Sequence, residues 1–274
     1  MLPSETGPLT FSELLDRTFS IYRSRFLLLV AIAGIPYAIF GAAVGVLAAL
    51  AWAVSARTGV GTSPSMAAAV LLVMVPLVIV FIVGAILSAV GTTAAVWDLQ
   101  LGRQPTIRTS YLTAWRRIGA VIVAGILVGL ACAAGLILLI IPGIIVWLGL
   151  SLTSPIIVAE DPGGVASLSR SWELTSGYRW KILGAAMISG IIAAIIVYAI
   201  QIPTFVISAF VFKNADPVWF TVISTIGSIL GNVLGAPILA IALCLIYYDA
   251  RVRKEGFDLQ RMLDAIPPAE PAVS

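Results

Sequence analysis

Hydrophobic and polar positions in this chain fall in long blocks. Apolar runs at 26–54, 66–96, 118–159, 182–212 and 218–248 are separated by short polar segments. A helix needs about 20 apolar residues to cross a bilayer, so every run is long enough for at least one crossing. The run 118–159 carries no charged residue. As one helix it would extend about 60 Å, twice the hydrocarbon thickness. It must fold back, and Pro142-Gly143 near its middle predicts the turn. Six spans follow: 26–54, 66–96, 118–140, 142–159, 182–212 and 218–248. Pro76, Pro203 and Pro237 lie inside spans and predict bends.

The polar segments ahead of three spans have a helical period of their own. In 11–26, Phe11, Leu14, Leu15, Phe19, Tyr22 and Phe26 recur at helical spacing, with Thr10 and Glu13 forming a capping box. In 107–118, Ile107, Tyr111, Ala114, Trp115 and Ile118 share a face. In 164–177, Val165, Leu168 and Trp172 do so, and Gly177 predicts the helix end. Each segment finishes in aromatic rings beside cations: Tyr22 with Arg25, Trp115 with Arg117, Tyr178 and Trp180 with Lys181. Rings suit the headgroup layer and cations reach water or phosphate, so these seven predict interfacial anchors. The pattern predicts an all-α polytopic membrane protein. Its six transmembrane helices form three hairpins, each preceded by a cytoplasmic interfacial amphipathic helix. Residues 1–266 form a single six-span membrane domain and 267–274 a disordered tail.

Composition strengthens this reading. The chain is 60% hydrophobic and 11% charged, where soluble domains carry about 25% charged residues. Of its 16 Lys and Arg, only Arg57 and Lys213 fall on the side opposite the termini. The positive-inside rule then predicts that both termini are cytoplasmic. The polar first 25 residues predict a retained first span.

Candidate chemistry is sparse. There is no histidine, and Cys132 and Cys244 both sit in apolar runs. No metal or cofactor is expected, and no catalytic residue. The absence of charge at span centres argues against an ion-driven pump. Basic clusters beside aromatic rings suit anionic lipid headgroups better than nucleic acid. Gln201 and Asn232, inside spans, either line a substrate cavity or hydrogen-bond between packed helices. Gly227, Gly231 and Gly235 form a small-residue ridge, for packing within the bundle or for a homodimer seam. A homo-oligomer is compatible with this ridge but not implied.

The most polar internal stretch is RSWELTSGYRWK, residues 170–181. With the segment after the last span it makes a candidate cytoplasmic cluster: Arg170, Trp172, Glu173, Asp249, Arg251, Arg253, Lys254 and Glu255. Arg170 and Glu173 are expected to pair with 249–255. Glu160 and Asp161 read as solvated caps and salt-bridge partners of Arg170 or Arg179.

RSWELTSGYRWKILG (170–184) and LIYYDARVRKEGFDLQRML (245–263) resemble the membrane domain of some bacterial glycerophosphoryl diester phosphodiesterases. That domain also occurs alone. The resemblance implies no activity here: the hydrolase resides in a separate soluble domain that depends on histidines and metal-binding carboxylates. The expectation is a non-enzymatic accessory, scaffold or regulatory protein acting through its cytoplasmic face. Its partners would be membrane lipids and a protein bound at that face. The alternatives are a transporter or binder of lipid or another amphiphile, and a membrane-shaping protein.

Overall fold

The computed structural model describes residues 9–58, 64–211 and 217–256, and all regular structure among them is helical. In chain order the helices are α1 (Phe11–Ser24), α2 (Phe26–Thr58), α3 (Pro64–Gln100), α4 (Ile107–Leu138), α5 (Ile140–Leu150), α6 (Thr153–Glu160), α7 (Gly164–Thr175), α8 (Arg179–Val211) and α9 (Pro217–Glu255). Among the described residues six stretches are long and apolar enough to cross a membrane: one each in α2, α3, α4, α8 and α9, and one shared by α5 and α6. The protein is a multi-pass membrane protein. The expected tail 267–274 lies outside the described residues.

The leading segments differ among themselves. α1 starts at the expected capping box: Thr10 Oγ1 accepts from Glu13 N–H, and Glu13 accepts from Thr10 N–H at 2.7 Å. These two bonds satisfy amides that a helix start leaves unpaired. Its buried face is Leu14, Thr18 and Ile21, while Phe11 and Phe19 are exposed. Only Arg25 separates it from α2. The second segment is not a separate helix. Ile107 runs unbroken into α4, because nothing between Thr106 and the span interrupts the hydrogen-bond ladder. The third, α7, is separate and ends before Gly177, whose φ of +83° suits glycine.

The turn between α4 and α5 falls at Leu139 (φ −170°, ψ 154°), three residues before Pro142. Pro142 sits in the first turn of α5, where its missing N–H would have had no partner. Gly135 and Gly143 let the two helices meet at backbone distance: a Cβ on Gly135 would lie 2.9 Å from Gly143 Cα. The fourth span is itself broken at Ser151-Leu152, between α5 and α6.

Consecutive spans pack together, α2 on α3, α4 on α5 and α8 on α9, and α9 also contacts α1, α2, α3, α6 and α7. It is the central helix: 56% of its apolar window is buried, against 11% for α3 and for α4. The main core lies at one end of the bundle. Leu14, Leu29, Ala94, Leu152, Ile156, Leu174, Ile182, Leu245 and Tyr247 belong to it. At the other end apolar side chains face outward: Leu72, Ile137 and Phe210 are 78%, 86% and 79% exposed. In a bilayer such surface faces lipid.

Prolines inside the helices have polar side chains from other helices beside them. Pro36 leaves the Ile32 carbonyl without its helical donor. Tyr111 OH donates to that carbonyl at 2.6 Å, and Ser88 Oγ at 3.2 Å. Near Pro237, Tyr22 OH donates to Leu234 O, the carbonyl next to Val233, whose helical donor Pro237 removes. Membrane helices keep prolines where neighbours can satisfy the freed groups.

Candidate functional site

The polar site is built on the break in the fourth span. Ending α5 at Leu150 frees the Gly149 carbonyl, and α7 supplies its donors: Ser171 Oγ at 2.8 Å and Thr175 Oγ1 at 3.2 Å. Trp172 lies over Gly149, where a Cβ would fall 2.3 Å from the indole. α7 is thus seated on the broken span by two buried hydroxyls and a ring. Arg179 stacks on the Trp172 ring, 4.0 Å from its centroid.

Two charged nodes link α7 and its surroundings to α9. In the first, Arg170 Nε donates to Glu160 Oε2 at 3.0 Å and its Nη2 to Glu255. Arg251 Nε holds Glu255 at 2.9 Å and lies 3.6 Å from Glu160. Tyr247 OH donates to Glu160 at 2.8 Å. Two carboxylates are therefore shared between two guanidiniums. Burial works against the Arg170 charge, but its bonds to Glu160 and Glu255 outweigh that and raise its pKa above the ordinary value.

In the second node Asp249, 4% exposed, accepts from Lys181 Nζ at 2.7 Å, Arg253 Nε at 3.1 Å and the Leu9 N–H at 2.7 Å. Lys181 and Arg253 also donate to Leu9 O, at 2.6 and 2.7 Å. Both backbone groups of Leu9 are thereby held, tying the N-terminal segment to α8 and α9. Lys254 Nζ donates to Glu173 O.

The expected cluster is brought together, with one correction. Arg170 meets Glu255, but Glu173 contributes its backbone carbonyl while its side chain points outward, because the inward face of α7 is taken by Ser171, Leu174 and Thr175. Glu160, expected as a cap or a salt-bridge partner of Arg170 or Arg179, pairs with Arg170. Tyr247, Lys181 and Leu9 are members that sequence reasoning missed, and nothing marks a leucine backbone as a ligand.

The seven expected anchors divide. Trp115 and Trp180 are exposed, 61% and 85%. Lys181 instead turns inward, because Asp249 offers a buried carboxylate. Arg117 pairs with Asp161, and Arg25 donates to Gln104 at 3.0 Å. Tyr178 lies within cation–π range of Arg253 and Lys254. Tyr22 reaches the α9 backbone, and burial pushes its phenol pKa up.

Gln201 donates to Ser228 Oγ at 2.8 Å across α8 and α9, and Asn232 to Ser228 O at 2.8 Å within α9. The glycine ridge packs inside the chain: Cβ atoms on Gly227, Gly231 and Gly235 would meet Thr204, Val197 and Ala193 of α8. Among the described residues no three Cys, Asp or Glu side chains are grouped to hold a metal.

Comparison with known proteins places the chain in a family without adding a site. No curated protein and no solved structure matches it. Residues 79–250, more than half of the chain, match a domain of unknown function, DUF7847, and the protein belongs to that family.

Proposed function

We propose that this is a non-enzymatic protein of the bacterial cytoplasmic membrane, with both termini cytoplasmic, that acts as an accessory or scaffold through the charged face. The observation that carries this is the double ionic node. It joins the N-terminal segment, α6, α7, α8 and α9 into one preorganised block, leaving the Glu173 carboxylate and part of Trp172 outward. A rigid platform loses little freedom on docking a partner. Anionic lipid headgroups are its other partners in this reading, supported by the exposed Arg23, Arg108 and Arg116 and the exposed Trp115 and Trp180. The kinship with the phosphodiesterase membrane domain stands beside this as a proposal, supported by 170–184 and 245–263.

The test is a photo-crosslinking residue in place of Glu173, activated in intact cells. A discrete protein adduct is expected there and not from Ile137 at the other end of the bundle. An E173 probe that yields no adduct, or the same ladder as Ile137, sinks the scaffold reading. A reporter that fluoresces only in the cytoplasm, fused at the C-terminus, checks the orientation separately.

A second reading, binding of a lipid or other amphiphile, is favoured by a different feature, an apolar cavity between α2 and α9.

A further inference from the structure

That cavity has a volume of about 320 Å³, at the lower end of small-molecule sites. Ala38, Ala42 and Gly45 of α2 face Val222, Thr225 and Ile226 of α9 across it. It exists because α2 presents small side chains, one turn apart, to a helix that cannot follow them all. Ile229 fills the space over Gly41, where a Cβ would fall 2.3 Å from its Cδ1. At Gly45 nothing lies within 4 Å of the Cβ position. The hole begins where Ile229 ends.

Its depth and its chemistry identify the occupant. Ala38 stands twelve residues into α2, about 18 Å along the helix, past the middle of a hydrocarbon layer about 30 Å thick. The cavity therefore opens into the leaflet away from the charged face. No charged residue is among the described residues that line it. Water needs two to four polar partners; among the described lining residues the one side-chain hydroxyl is that of Thr225, which has no hydrogen-bond partner among the described residues. The surrounding medium at this depth is acyl chain. We infer that the cavity binds one alkyl chain of a membrane amphiphile from that leaflet, with Thr225 available as the donor to an ester or hydroxyl oxygen.

This inference is independent of the scaffold role, since cavity and ionic nodes share no residue. The probe is a phosphatidylcholine carrying a diazirine in one acyl chain, with the full chain in nanodiscs and labelled residues read by mass spectrometry. Cross-links should concentrate on the walls, at Ala38, Ala42, Val222 and Ile226. Gly45→Phe should lower that yield about tenfold, the scale of a steric mismatch in an apolar pocket. Leu130→Phe on the exposed face of α4 should leave it unchanged. If Gly45→Phe is not monodisperse, Ala42→Leu is judged by the same comparison. Labelling that follows exposure alone, as strong at Leu72, Leu130 and Ile137 as at the walls, would mean annular lipid only and overturns the inference. So would wall labelling that survives the filling substitution.

Discussion

Lys181 and Asp249, separated by 68 residues, meet at 2.7 Å, with the carboxylate only 4% exposed. The pair joins the first turn of α8 to the last turns of α9, and Leu9 is held between them. Breaking a buried pair by removing one partner costs more than the pair contributes, because the remaining charge is stranded.

Asp249→Ala should therefore destabilise the fold by about 3 kcal/mol, read as a lower unfolding midpoint in detergent. It should also raise amide exchange at Leu9, which loses its acceptor. Unchanged exchange there would show that Leu9 is held by something else.

The carbonyl freed by Pro36 makes a second prediction. Tyr111→Phe should cost about 1 kcal/mol, and adding Ser88→Ala should cost more than the sum of the two single changes. The double variant leaves the Ile32 carbonyl without a donor, a penalty of about 1–3 kcal/mol. A double-mutant cycle measures the coupling, and strict additivity would contradict the shared acceptor.

Gly149→Ala should unseat α7. The new methyl collides with the Trp172 ring, and overpacking of this kind costs about 1–3 kcal/mol. Protease cleavage within 164–175 should accelerate, as it should in Ser171→Ala/Thr175→Val, which removes both donors to the same carbonyl.

Gly227→Ala should weaken the α8–α9 seam without changing oligomeric mass. Its Cβ would lie 2.8 Å from Thr204 Cβ, inside one chain. Light scattering in detergent checks this: a variant that shifts from dimer to monomer would relocate the ridge to an interface between copies.

Helix α1 should loosen in acid. The bonds from Thr10 to Glu13, the backbone one foremost, hold the carboxyl below its ordinary value of 4.5. A depressed folded pKa means the contribution is present above 4.5 and is lost as pH falls through and below it. Exchange protection at the start of α1, taken relative to Glu13→Gln at each pH, should fall over that window.

Several elements were legible beforehand. Run lengths predicted the six spans, and the capping box of Thr10 and Glu13 predicted where α1 begins. Gly177 marked the end of α7. Arg170 was expected to reach 249–255, and it does. Other readings failed for stated reasons. Pro142-Gly143 looked like the turn, yet proline is well accommodated in a first helical turn and the reversal falls at Leu139. The periodicity of 107–118 does not say whether a helix continues into the membrane, and here it does. Lys181 looked like a lipid anchor because its partner lies far along the chain.

By itself the sequence determined that this is a helical membrane protein, how many apolar stretches it has, and which segments are polar. Those are one-dimensional properties: run length against bilayer thickness, and the period of apolar positions. Only the tertiary structure decided which polar groups meet. Apart from Arg253, one turn from Asp249, the donors to Gly149 O, Ile32 O and Asp249 come from residues 22 to 240 positions away. A carbonyl freed by a helix break looks like any other in sequence, and the side chain that satisfies it is chosen by packing.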